Sequence, residues 1–160
     1  MRAIFLLILF TLIPTLELRY SIPHGYVNYR DDLSVAAIIG TCLAANIALA
    51  PVVWVFLDKA VHVFLRIGWI NNLYDRLVGR AQKNLHKYVE RWGTLGLALF
   101  IGVPLPGSGV YSGALGAYVL GFTFRQFFIA SVLGVLIAGS LVSTVVLSSS
   151  SAFAIFTKSG

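Results

Sequence analysis

Long apolar runs alternate with short polar interruptions along this chain, and the run lengths separate two kinds of element. Leu33 to Leu57 holds 25 residues without a charge, and Phe127 to Leu147 holds 21. A helix rises about 1.5 Å per residue and a bilayer core is about 30 Å thick, so both are predicted to be full transmembrane helices. Two other runs are shorter or broken. Ala3 to Leu16 is interrupted after 14 residues by Glu17, Arg19 and Pro23. Thr94 to Val103 gives 10 residues before "PLPGSG", and Val110 to Phe124 follows.

Ten helical residues reach about 15 Å, half the hydrocarbon thickness, which places Pro104 near the midplane. Proline removes a backbone donor and glycine admits conformations other residues resist. Pro104, Pro106, Gly107 and Gly109 are therefore predicted to end one half-helix and begin another. Broken backbone is tolerated in lipid only where protein buries it or it lines a wet cavity. Discontinuous helices of this kind form binding sites in transporters. A kinked helix that merely packs is the alternative.

The order of parts repeats: broken segment, full helix, polar loop, broken segment, full helix. A shift of 94 residues aligns Ala36, Gly40 and Ala44 with Ala130, Gly134 and Ala138, a small residue every fourth position in both full helices. Such spacing lets helices approach closely. If each broken segment re-enters, each half crosses the membrane once and the halves are oppositely oriented. The rival topology makes each broken segment a full crossing, with both termini inside. The expected fold is an all-α integral membrane protein of one domain, residues 1–160. It comprises a first repeat (1–57), a basic amphipathic cytoplasmic linker (58–92) and a second repeat (93–160).

Composition agrees: 58% of residues are hydrophobic and 11% charged, against roughly 25% charged in soluble domains. Lipid must be the solvent for most of the surface. Net charge is +6, and seven of the twelve basic residues lie between Asp58 and Trp92. From Trp69 onward Ile70, Leu73, Leu77, Ala81, Leu85 and Tyr88 recur at helical spacing beside a stripe of Arg76, Arg80, Lys83, Lys87 and Arg91. This suits a helix in the headgroup region or a solvated helix on the protein's own core. The positive-inside tendency puts the loop in the cytoplasm and "YVNYRDDLS" outside, and argues against nucleic acid as the partner. Arg2 with "AIFLLILFTLI" looks like a signal peptide, but no alanine occurs between Ile4 and Val35 to form a cleavage site. The segment is expected to be retained. Cys42 is the single cysteine, so no intramolecular disulfide can form.

"PTLELRYSIPHGY" followed by "FIGVPLPGSGVYSGALGAYVLG" resembles the small multi-drug export family of prokaryotic membrane proteins. That family has Glu-Leu-Arg then Ile-Pro near the N-terminus and Pro-Leu-Pro-Gly-Thr/Ser-Gly later. It is in turn similar to the DedA group, whose opposed re-entrant hairpins are implicated in lipid-carrier flipping and proton-coupled transport. The resemblance implies roles for Glu17, Arg19 and Pro23 in the first break and for Pro104, Pro106, Gly107 and Gly109 in the second. DedA proteins usually carry an arginine in the second re-entrant region. Thr94 to Phe124 has no charge, so that arginine has no counterpart here.

Charges in a hydrophobic interior are costly, which makes Glu17 and Arg19 functional candidates in their own right. On a helix they would point to nearly opposite sides, whereas an unwound tip would let them pair and let Glu17 exchange a proton. Headgroup-depth positions, with Arg19 snorkelling, are the bland reading. His24, Ser108 and Tyr111 complete the candidate substrate or ion site. Asn46, the other strongly polar residue inside a predicted span, is assigned to interhelical hydrogen bonding. No nucleophile–base pair occurs, and His24, His62 and His86 lack metal-ligand spacing, so neither enzyme activity, cofactor nor metal is expected. The expected function is a small transporter or flippase for a lipophilic or lipid-linked anionic substrate, with proton coupling. The alternatives are a cation exporter using Glu17 as counter-charge and a non-transporting membrane scaffold. Expected partners are membrane lipids and a hydrophobic or lipid-linked small molecule, with a homodimer left open. The expected location is the cytoplasmic (inner) membrane, with several passes.

Overall fold

The computed structural model of the protein describes residues 2–14, 16–65, 93–103 and 108–158, with side chains described as far as residue 60 in the first long helix and 149 in the second. The basic amphipathic stretch predicted between residues 69 and 91 lies outside the described residues, as do Pro104, Pro106 and Gly107. Among the described residues six helices follow in order: α1 (Arg2–Leu12), α2 (Glu17–Tyr29), α3 (Val35–Leu65), α4 (Gly93–Gly102), α5 (Val110–Val119) and α6 (Phe124–Lys158). Among the described residues there is no strand.

The helix ends follow local chemistry. Ser34 caps α3 by accepting from the Ala37 N–H at 3.2 Å. A reciprocal box starts α6: Gln126 Oε1 accepts from the Thr123 N–H at 2.9 Å while Thr123 Oγ1 accepts from the Gln126 N–H. Both are N-cap arrangements available to Ser or Thr with a polar partner three residues on. The turn after α5 closes at Gly121, whose φ of 76° is left-handed, with the Phe122 N–H bonded back to the Ala117 carbonyl. Glycine takes that conformation without a Cβ clash.

α1 and α2 fold back on one another. Thr11 Oγ1 donates to Ser21 Oγ at 2.9 Å, Phe10 packs edge-on to Tyr20 and His24, and Gly25 leaves room for the Leu7 side chain. α4 and α5 form a second hairpin, in which Gly113 admits Ile101. Each hairpin precedes a long helix. α4 also presses against α6, where a Cβ on Gly134 would come within 2.7 Å of the Ala98 carbonyl oxygen. Trp54 of α3 stacks on Phe127 and is flanked by Tyr118 and Phe124, binding α3, α5 and α6 at one end.

Val35–Ala60 and Phe124–Ser149 are long and apolar enough to cross a membrane. Only 28% and 33% of their most apolar windows are buried, so these are not core helices of a soluble fold. Val52, Phe56, Leu141 and Val145 point outward instead, which lipid tolerates and water does not. The first break differs from its prediction. It spans the turn between Ile13 and Leu16, and Pro23 lies inside α2. Proline there removes the N–H that would bond the carbonyl four residues earlier, and a helix whose flank is packed survives that loss.

Candidate functional site

The tips of the two hairpins meet. Glu17 begins α2 with a left-handed φ of 44°, the one non-glycine residue with positive φ among those described. That conformation costs about 1–3 kcal/mol and needs surrounding contacts to hold it. The contacts lie 93 residues away. Glu17 Oε1 accepts from the Val110 N–H at 3.1 Å, with Oε2 at 3.4 Å, and the carboxylate also faces the Tyr111 N–H. The first N–H groups of α5 have no intrahelical partner and carry partial positive charge, so a buried carboxylate is suited to cap them. Glu17 is only 6% exposed.

Arg19 does the complementary work at the other helix end. Its Nη2 donates to the Ile101 and Val103 carbonyls, both at 3.2 Å, and to Ser108 Oγ at 2.9 Å. Ser108 Oγ in turn donates to the Val103 carbonyl at 2.6 Å. A guanidinium at the C-terminus of α4 meets the partial negative charge of its last carbonyls. Glu17 and Arg19 both lie in the first turn of α2 rather than on an unwound tip. They attract one another, but each is aimed at a different helix end of the second break.

Gly109 makes the arrangement sterically possible. Its φ of 141° and ψ of −171° are open essentially to glycine alone. A Cβ there would sit 2.6 and 2.7 Å from the two Glu17 carboxylate oxygens. The Tyr111 hydroxyl donates to the Leu12 carbonyl, joining α5 to the end of α1. Thus Glu17, Arg19, Ser108, Gly109 and Tyr111 assemble at one place.

Pro23 and His24 do not join them. Pro23 lines, with Arg19, a groove of about 420 Å³ walled by Leu141, Val142, Val145 and Val146 of α6. His24 lies seven residues along α2, about 10 Å from the tip, among the rings of Phe10, Tyr20 and Tyr29. Asn46 lies in α3. It is fully buried, has no partner within ordinary hydrogen-bond geometry, and its amide lies toward the Glu17 carboxylate of α2. Its signal in the sequence was its position, an amide in the middle of an apolar run. The main-chain acceptors at Leu12, Ile101 and Val103 left no such signal, because every residue has a carbonyl. No group of three or more metal-ligating side chains occurs among the described residues.

A family profile with the description "Putative small multi-drug export protein" matches residues 17–141. The chain belongs to that family. The matched region opens at Glu17, directly after the turn of the first hairpin, and contains the second hairpin, Asn46 and both membrane-length stretches as far as Leu141. Export in the family's description, together with two helices able to cross a bilayer, makes this small multi-drug export family member a membrane protein of general transporter type. No curated protein and no solved structure matches the chain.

Proposed function

We propose that this protein carries a lipophilic or lipid-linked anion across the cytoplasmic membrane, coupled to protons at Glu17. The observation that supports this reading is the carboxylate on the N-terminus of α5. Free N–H groups at a helix N-terminus bind anions, and here a side chain that can be neutralised by one proton occupies the position. Protonated Glu17 no longer competes for the Val110 N–H or repels an incoming anion. Arg19 then supplies the positive charge beside it, and the apolar groove shared by Arg19 and Pro23 accepts a hydrocarbon portion. In this reading the two hairpins re-enter from opposite faces and the two halves form an inverted repeat. Alternating access exposes the meeting tips to one side and then the other.

Reconstituted uptake across a panel of lipid-linked anions and cationic drugs, with and without a pH gradient, tests the proposal. Glu17→Gln is expected to insert normally and to transport anions without pH dependence. A wild-type pH profile in that variant would sink Glu17 as the coupling group. The family description favours drug export as a second reading, in which Glu17 would be the counter-charge of a hydrophobic cation. In that case Glu17→Gln abolishes cation transport outright. Absence of any transport across the panel would favour a scaffold.

A further inference from the structure

Two buried hydroxyls stand behind Glu17, inside the first hairpin. Thr11 near the end of α1 and Ser21 in α2 are both 0% exposed. Ser21 Oγ donates to the Glu17 carbonyl at 2.7 Å. Each hydroxyl has one proton to give. With the Ser21 proton on Glu17, the 2.9 Å bond between the two hydroxyls runs from Thr11 to Ser21. The Leu7 carbonyl, 2.7 Å from Thr11 Oγ1, shares the Thr11 proton.

A serine bonded to the carbonyl four residues earlier is an ordinary local contact. Here the carbonyl belongs to Glu17, whose φ of 44° is left-handed, and the serine is itself held from another helix. A non-glycine residue keeps such a conformation only where its surroundings impose it. The peptide planes on both sides of the Glu17 Cα are held. Its N–H donates to the Ile13 carbonyl at 3.3 Å, and its own carbonyl accepts from Ser21. Those two planes set the direction in which the side chain leaves the backbone, which is toward the Val110 N–H.

The other partner is anchored at the same place. Tyr111, the neighbour of Val110, donates its hydroxyl to the carbonyl of Leu12, the residue after Thr11. Successive residues at the end of α1 therefore reach both sides of the contact between carboxylate and amide. Thr11 holds the Glu17 side through Ser21, and Leu12 holds the Val110 side through Tyr111.

We propose that the end of α1 is a bracket for the Glu17 carboxylate, with Thr11 and Ser21 as positioning residues that aim it at the N-terminus of α5. They act through the Glu17 backbone carbonyl. This deepens the reading of Glu17 as the coupling group and rests on it.

Proton-detected NMR of the full chain in lipid bilayers reads the contact from the Val110 amide proton, which a charge-assisted bond to a carboxylate draws downfield. Glu17→Ala marks the position of that signal without the bond. Thr11→Val keeps the shape of the side chain and removes its hydroxyl, and Ser21→Ala removes the second one. Each is expected to move the Val110 signal upfield, part of the way to that of E17A. Loss of one such bond corresponds to about a fivefold change in the ratio of aimed to displaced carboxylate. Thr11→Ser keeps the hydroxyl and should leave the signal near wild type. If S21A does not fold, T11V and T11S carry the test. A Val110 signal unmoved in T11V, with changes confined to α1 and α2, would mean that the hydroxyls only pack the hairpin and overturns the bracket. If E17A leaves the signal in place, the cap and the bracket fail together. A signal moved in T11V, combined with a wild-type pH profile of transport in E17Q, sinks Glu17 as the coupling group and leaves the bracket standing.

Discussion

Adding one methyl group at Gly109 isolates the contact between the two hairpins. In Gly109→Ala the new Cβ meets Glu17 Oε2 at 2.6 Å, Oε1 at 2.7 Å and Cδ at 2.9 Å. Real Cβ contacts do not come so close, so the carboxylate must withdraw from the Val110 N–H. Losing a buried hydrogen bond to a charged group costs about 1.5–3 kcal/mol. Forcing alanine to a φ of 141° adds about 1–3 kcal/mol. The sum is roughly 2.5–6 kcal/mol of stability. Unfolding in mixed micelles with rising SDS, followed by circular dichroism, measures it.

Gly116→Ala is the control. That glycine is interior to α5 with nothing within 4 Å of a Cβ, so the change should be neutral or stabilise by up to about 1 kcal/mol. The double variant decides the mechanism. In a Glu17→Ala background the clash is gone, and Gly109→Ala should cost only the backbone part, about 1–3 kcal/mol. A cost below about 1 kcal/mol in the wild-type background, or full additivity of the two substitutions, would refute the carboxylate cap.

Gly134→Ala drives a Cβ to 2.7 Å from the Ala98 carbonyl oxygen and the Ile101 Cβ, whereas the aligned Gly40 has nothing within 4 Å. Micelle unfolding should show a loss of about 1–3 kcal/mol for G134A and almost no change for G40A; equal effects would mean the two helices pack alike. Single cysteines at Asn28 and Lys83 in a Cys42→Ser background report sidedness. Impermeant reagent should label N28C from outside only and K83C from the cytoplasm only, and labelling of both from one side ends the proposed topology.

Run length was enough to find both membrane-length helices, because crossing a bilayer demands an uninterrupted apolar stretch that no local alternative supplies. It did not locate their ends. The first helix continues past Asp58 and Lys59 to Leu65 and the second runs to Lys158, since hydropathy measures apolar extent and a helix tolerates polar residues beyond it. The composition of "PLPGSG" announced the second break. Pro23 carries the composition of a break, yet packing against α1 and α3 keeps α2 helical through it, so the first break is confined to the turn before Glu17.

The candidate site divides the same way. Caps made by neighbours in sequence, Ser34 for α3 and Thr123 with Gln126 for α6, are readable from residue type and spacing, because the side chain reaches only a few residues. The cap on α5 comes from Glu17, 93 residues earlier, and the cap on the end of α4 comes from Arg19. The presence of two intramembrane charges could be read as a functional signal, but not which helix end each would serve. Gly40 and Gly134 align in sequence, and one is open while the other touches backbone. Asn46 is legible as an oddity, an amide inside an apolar run; that it faces Glu17 of α2 is not. Which groups end up facing one another depends on which helices pack side by side, and that is decided by contacts among residues distant in the chain.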